Sequence, residues 1–129
     1  MRIEHIAIWV KDLELMKNFY VKYFNAKCSN KYSNKKKEFT SYFISFNESK
    51  TRIELMNNPY IKDLEESKNL YFGLAHMAIS VGSKKNVDQL TQILRKDVFS
   101  IIGEPRTTGD GYYESIIEDC EGNCIELTE

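Results

Sequence analysis

The chain has 129 residues, 42% of them hydrophobic and 29% charged, which suits one compact domain or two small modules sharing a sheet. A net charge of −1 gives no electrostatic reason to bind nucleic acid or a membrane surface, and no apolar run approaches bilayer-spanning length. Cys28, Cys120 and Cys124 form no C-x-x-C and suit small thiols in a reducing compartment; with no signal-peptide pattern at the start, the expectation is a cytoplasmic protein.

The first predicted strand covers residues 2–10. Asp12 then caps a helix over residues 13–24. Leu13, Met16, Phe19, Tyr20, Tyr23 and Phe24 recur at helical spacing, and these aromatics read as core. Asn25-Ala26 stops the helix. Cys28 to Tyr32 reads as a short edge strand, and Ser33-Asn34 with Lys35, Lys36 and Lys37 as a solvated turn. Phe39–Phe46 alternates as a strand, Asn47–Lys50 turns, and Thr51–Met56 is the next strand. Asn57-Asn58-Pro59 breaks it. Residues 58–73 read as a linker with one helical turn, rich in charge between Lys62 and Lys68.

The second half follows the same plan. A strand covers residues 74–81. Ser83 caps a helix whose expected buried stripe is Val87, Leu90, Ile93 and Leu94. Val98–Gly103 is the next strand, and Pro105 opens a loop through Arg106 to Gly111. Tyr112–Glu118 and Cys124–Thr128 are strands around the turn Asp119–Asn123.

These halves are related in detail. Ile3-Glu4-His5-Ile6-Ala7-Ile8 returns as Leu74-Ala75-His76-Met77-Ala78-Ile79, 71 residues later. Ile53-Glu54-Leu55 returns as Ile125-Glu126-Leu127, 72 residues later. His5 and His76 are the only two histidines in the chain. Such repeats set architecture. The expected fold is α+β: tandem βαβββ modules, residues 1–57 and 74–129, joined by linker 58–73 within a single domain of residues 1–129. The expected sheets are curved and mixed, around a metal-binding cavity.

Side chains alternate along a strand. His5 shares a face with Ile3, Ala7 and Trp9, opposite Ile6, Ile8 and Val10. His76 shares one with Ala78 and Ser80. Glu54 and Glu126 each lie opposite an aliphatic pair, Ile53 with Leu55 and Ile125 with Leu127. If the aliphatic faces pack on helices, both histidines and both glutamates point to the other side. Cys124 shares the face of Glu126.

Two imidazoles and two carboxylates suit a divalent transition metal. A lone strand histidine is usually a core or surface residue, and a lone strand glutamate is usually solvated. Two pairs at matched repeat positions favour the metal. Four protein ligands in an octahedral site leave two positions for substrate oxygens, and a glutamate near the metal could move a proton as general base.

With His5, Glu54, His76 and Glu126 as its corner residues, the βαβββ repeat resembles the vicinal oxygen chelate superfamily, the glyoxalase/bleomycin-resistance/dioxygenase fold. Asp119-Cys120-Glu121-Gly122-Asn123-Cys124-Ile125-Glu126-Leu127 is similar to that family's closing Asp-Pro-x-Gly-Asn-x-x-Glu signature, with Cys120 in place of Pro. The His-Glu-His-Glu set is closest to lactoylglutathione lyase. That resemblance implies a metal-dependent lyase or isomerase. His5, Glu54, His76 and Glu126 would bind a divalent ion such as nickel, cobalt or zinc, and Glu126 or Glu54 would carry the proton. The substrate would be a hemithioacetal or similar vicinal-oxygen compound, isomerised through a metal-stabilised enediolate. The implied partners are a small-molecule substrate, a thiol cosubstrate and a second copy of the chain in a homodimer.

Three residues are candidates for substrate contact. Glutathione-using relatives often carry Arg where this chain has Trp9, which implies a flatter or more apolar substrate, or another thiol. Asn58, four residues after Glu54, matches a thiol-cofactor contact of such relatives. Arg106 could hold a carboxylate or phosphate, or be an exposed arginine on an ordinary hairpin.

Other functions on this scaffold stay open. Thiol transferases and ring-cleaving dioxygenases use two His and one Glu, which leaves Glu54 surplus. An acyl-CoA epimerase would use similar proton abstraction. A metal-free drug-binding protein of the bleomycin-resistance kind needs no His/Glu set, although Trp9, Tyr42, Tyr112 and Tyr113 could stack on a flat ligand.

Overall fold

In the computed structural model, which describes residues 1–62 and 73–129, the first half of the chain runs β1 (His5–Trp9), α1 (Leu13–Phe24), β2 (Lys27–Cys28), β3 (Tyr32–Asn34), β4 (Phe39–Ser45) and β5 (Arg52–Asn57). The second runs β6 (Met77–Ser80), α2 (Lys84–Lys96), β7 (Ile101–Thr107), β8 (Tyr113–Glu118) and β9 (Cys124–Thr128). The halves form two units, Met1–Asp63 and Leu64–Glu129. Each carries its own open mixed sheet, ordered β1-β5-β4-β2 with β3 also on β4, and β6-β9-β8-β7. The α+β class and the repeated βαβββ plan are as expected.

In the first unit, Asp12 accepts a hydrogen bond from the Leu15 amide at 2.9 Å and starts α1. Asn25 ends it in the left-handed conformation at φ 49°. Leu13, Met16, Phe19 and Tyr20 are buried on α1, and Ile44, Ile53 and Leu55 on the sheet. Burying each such side chain contributes about 1.5–3 kcal/mol. This packing commits one sheet face to the helix and leaves the other, with His5 and Glu54, for chemistry.

In the second unit, Ser83 accepts from the Asn86 amide at 3.2 Å and caps α2. Val87, Thr91 and Leu94 on the helix, and Ile117, Ile125 and Leu127 on the sheet, are fully buried. Ile93, expected in this stripe, is 50% exposed, and Thr91 takes the inward position. Its hydroxyl is satisfied there by the Val87 carbonyl and by Ser115, both at 2.7 Å. A polar residue is therefore tolerated at a core position that hydropathy alone would not select.

Several strand boundaries depart from expectation, among them β1, which starts at His5 rather than residue 2. The edge strand expected from Cys28 to Tyr32 is two short strands, each paired with β4. Between them the Ser29 hydroxyl accepts from the Phe43 amide at 3.0 Å, in place of a ladder carbonyl. β6 begins at Met77 rather than residue 74, so His76 lies just ahead of it. β7 starts at Ile101, and Val98 sits outside it at φ 66°, 90% exposed. β7 also runs through Pro105 to Thr107, where a loop was expected. It is an edge strand with register shifts on both sides of Gly103, so the missing Pro105 amide costs no ladder bond.

Of the expected linker 58–73, residues 58–62 and 73 are described, and Asn58 opens a turn by accepting from the Tyr60 amide at 2.9 Å. The expected helical turn lies outside the described residues. Among the described residues no helix is long and apolar enough to cross a membrane.

Candidate functional site

The parallel pairing of β1 with β5 sets Ala7 opposite Glu54. β6 with β9 sets Ala78 opposite Glu126. In both ladders the residue facing the glutamate is two beyond the histidine, so each histidine lies on its glutamate's face. His5 Nε2 is 3.7 Å from Glu54 Oε2. His76 Nε2 is 3.4 Å from Glu126 Oε2. The carboxylates are sunk into their sheets at 16% and 17% exposure, and the imidazoles stand more open at 39% and 46%.

These separations can be tested against a shared ion. Two donors about 2.0–2.2 Å from one metal and 90–110° apart lie about 3.0–3.5 Å from each other. The second pair falls in that range, and the first is a small side-chain rotation from it. Imidazole nitrogen with carboxylate oxygen suits zinc, nickel or cobalt. The donor set therefore fits a divalent ion. Among the described residues no group of three or more His, Cys, Asp or Glu is assembled that could hold an ion; what each unit carries is one His–Glu pair.

The surroundings of the two pairs differ. Glu4 Oε2 lies 2.6 Å from His5 Nδ1. Arg52 donates from Nη2 to Glu4 Oε1 at 2.5 Å and lies over the Phe43 ring at 4.0 Å. Phe43 meets the His5 ring edge-on, with centroids 5.5 Å apart. The bond from His5, then that from Arg52, holds the Glu4 carboxyl below the usual carboxylate range.

Beside the second pair the chemistry is acidic. Burial first, then the charge and hydrogen bonding of the adjacent Glu114, raise the Glu126 carboxyl above its ordinary value, while His76 pulls it down. Glu114 is 8% exposed and accepts from Arg106 Nη2 at 3.0 Å. Gly103 permits this: a Cβ there would sit 2.9 Å from Arg106 Nη1 and 3.1 Å from Ile116 Cβ. Asp119 organises the turn before β9 by accepting from the amides of Glu121 and Asn123, both at 2.9 Å, and from Asn123 Nδ2 at 2.8 Å. Gly122 completes the turn at φ 77°. The Asp-x-x-Gly-Asn run thus sets the entry of the strand that carries Glu126.

Trp9 shares the face of His5 and Glu54, is 43% exposed and meets Phe39 edge-on at 6.1 Å. Asn58 uses both ends of its amide in the turn, donating to the Lys37 carbonyl at 3.1 Å and accepting from Tyr60. Arg106, on β7, is paired to Glu114 of β8. Of the other aromatics that could stack on a flat ligand, Tyr42 and Tyr113 turn to the helix sides. Their hydroxyls donate to Glu14 at 2.9 Å and Asp88 at 2.8 Å. Tyr112 is 59% exposed, and Cys124 is half-buried.

Sequence reasoning missed Glu4, Phe43 and Glu114 as neighbours of the site. Phe43 and Glu114 follow from strand register, which pairs Phe43 with Glu54, and Ile116 of β8 with Glu126. Glu4 falls within the strand expected over residues 2–10, where alternation sets it opposite His5, but β1 starts only at His5.

The model of the Glyoxalase/Bleomycin resistance protein/Dioxygenase superfamily matches residues 2–127. Comparison with the curated proteins finds no match. Among solved structures, the chain is similar to the trypanothione-dependent glyoxalase I of Leishmania major, at 25% identity and TM-score 0.77, over 100% of this chain and 86% of that one. A glyoxalase family protein from Enterococcus faecalis superposes at 20% identity and TM-score 0.78, over 99% and 97%. Glyoxalase I from Zea mays superposes at 22% identity and TM-score 0.78, over 98% of this chain and 44% of that one, so the chain spans under half of the maize protein.

Proposed function

The chain belongs to the glyoxalase/bleomycin resistance protein/dioxygenase superfamily, and from that premise we propose that it is a metal-dependent lyase of the glyoxalase I type. His5, Glu54, His76 and Glu126 are its ligands, two from each repeat, and a homodimer is the working assembly. The supporting observation is the duplicated pair: a histidine and a glutamate at 3.7 Å and again at 3.4 Å, each glutamate opposite the residue two beyond its histidine.

Nickel, cobalt or zinc held there would supply Lewis-acid polarisation of vicinal substrate oxygens. The chain's own residues do the rest. Glu126 takes the proton from the carbon that bears the hydroxyl and sulfur of a hemithioacetal, and returns it to the adjacent carbonyl carbon. The hydroxyl proton passes to the former carbonyl oxygen, so the product is a 2-hydroxy thioester, and no oxidant or reductant is consumed. Without an ion, burial and Glu114 raise the Glu126 carboxyl above its ordinary value, and a bound cation would favour its ionised, proton-accepting form. Glu54 is the fourth ligand and the alternative proton carrier.

Trp9 bears on the thiol. An indole cannot form an ion pair with a glutathione carboxylate, and it offers a flat apolar surface on the same sheet face as His5. Asn58 and Arg106 are the remaining proposed substrate contacts, and their pairing to the Lys37 carbonyl and to Glu114 means that a substrate must displace or extend those bonds.

The test is thioester formation from methylglyoxal by protein loaded with nickel, cobalt or zinc. Glutathione, trypanothione and smaller thiols are offered in parallel. Thioester with at least one thiol, lost in Glu126→Gln, is the expected result. Absence of thioester with every thiol, from protein that holds metal, would sink the lyase reading and move attention to the epimerase chemistry of the same scaffold.

A further inference from the structure

The two histidines are equivalent by repeat but not by surroundings. His5 Nδ1 lies 2.6 Å from a Glu4 carboxylate oxygen. An ionised carboxylate only accepts, so the neutral imidazole must carry its proton on Nδ1. That leaves the Nε2 lone pair on the side of Glu54, 3.7 Å away. Glu4 is itself tied down twice. Its backbone carbonyl accepts from the Arg52 amide at 3.0 Å, and its other carboxylate oxygen accepts from Arg52 Nη2. Arg52 rests on Phe43, whose ring abuts His5. At the matching places of the second repeat stand Ala75, Cys124 and Ile116, none of which offers a carboxylate.

We propose that Glu4, anchored by Arg52, is a positioning residue that locks His5 in the Nδ1–H tautomer and presents Nε2 as a preformed ligand. Among the described residues the half-site of His76 and Glu126 has no such lock. The two pairs are therefore unequal: the His5 imidazole is held in one tautomer before any ion arrives, and no carboxylate among the described residues holds His76 in that way. The tautomer lock is a property of the metal-free protein; its use as a ligand rests on the metal reading above. Ligand histidines oriented by an outer carboxylate typically lose about 10–100-fold in metal affinity when that partner is removed.

The experiment is long-range nitrogen–proton NMR of the imidazoles in the metal-free protein, at a pH where both are neutral. With two histidines, assignment needs only His76→Gln. The expected wild-type result is Nδ1–H for His5. In Glu4→Ala the His5 proton moves largely to Nε2, while the His76 signals stay put, which also reports an intact fold. Glu4→Gln, which keeps an acceptor oxygen, retains part of the Nδ1–H population. An Nε2–H tautomer for His5 in the wild type, or an unchanged tautomer in Glu4→Ala, would overturn the proposal. Titration with zinc or nickel then tests the ligand role. Affinity about 10–100-fold weaker in Glu4→Ala supports it, and equal affinity overturns it. A wild type that takes up neither ion defeats the metal reading, while the tautomer result still decides the lock.

Discussion

Glu126 and His76 lie 3.4 Å apart, Oε2 to Nε2, with the carboxylate sunk in the sheet beside Glu114 and the imidazole open to solvent. A buried carboxylate beside another carboxylate resists ionisation, and a positive charge against it relieves that resistance. Glu126→Gln keeps the shape and removes both the charge and the basicity. We expect activity to fall by about 10²–10⁴, the usual size of a general base contribution. Initial rates at saturating metal check this, with near-wild-type thermal unfolding as the control.

Gly103 is a steric prediction. An added Cβ would meet Arg106 Nη1 at 2.9 Å and Ile116 Cβ and Cγ1 at 3.1 Å. The arginine head can move, but Ile116 sits in the β8 ladder and cannot easily give. Gly103→Ala should destabilise by about 1–3 kcal/mol, the usual cost of overpacking, and detach Arg106 from Glu114. Denaturant unfolding measures the first effect.

The buried Thr91–Ser115 pair gives a cycle. Each hydroxyl is fully buried, and they meet at 2.7 Å. Thr91→Val strands the Ser115 hydroxyl and should cost about 1–3 kcal/mol, whereas Ser115→Ala leaves Thr91 its bond to the Val87 carbonyl and should cost less. The double variant should cost less than the sum of the singles. Three unfolding curves against wild type decide it.

Glu14 sets an acid limb. Hydrogen bonds from Lys17, then from Lys31 and Tyr42, pull its carboxyl from 4.5 to about 2. A lowered folded value means that the unfolded chain binds the proton first, so stability is lost as pH falls. The contribution is present above 4.5 and disappears as pH drops toward about 2. Glu14 lies at the surface, so salt screens the effect. Thermal midpoints of wild type and Glu14→Gln should differ at neutral pH and converge toward the bottom of that window.

Much of this was legible in the sequence because period and repeat are local signals. Asp12 and Ser83 cap the helices as read, and alternation put His5 with Glu54 on one face and their aliphatic neighbours on the other. The second helix was read less well, because Thr91 is buried through hydrogen bonds that hydropathy does not register. Pro105 inside β7 was hidden because its tolerance depends on being at an edge beside a bulge. Glu4 and Glu114 were missed for different reasons. Glu4 was read as a strand residue facing away from His5, but β1 starts only at His5, and Glu114 reaches Glu126 only through β8–β9 register. Tyr42 and Tyr113 were grouped with Trp9 by residue type, but their strand parity and the acceptors Glu14 and Asp88 place them on the helix sides.

The most direct test of the central claim is metal content by mass spectrometry after loading with nickel, cobalt or zinc and exhaustive dialysis. Wild type would be run beside His5→Ala, Glu54→Gln, His76→Ala and Glu126→Gln. The four-ligand site predicts about one retained ion per chain in the wild type and substantially less in every single variant. Wild-type protein that retains none of the three metals, or retention that no variant reduces, would contradict it.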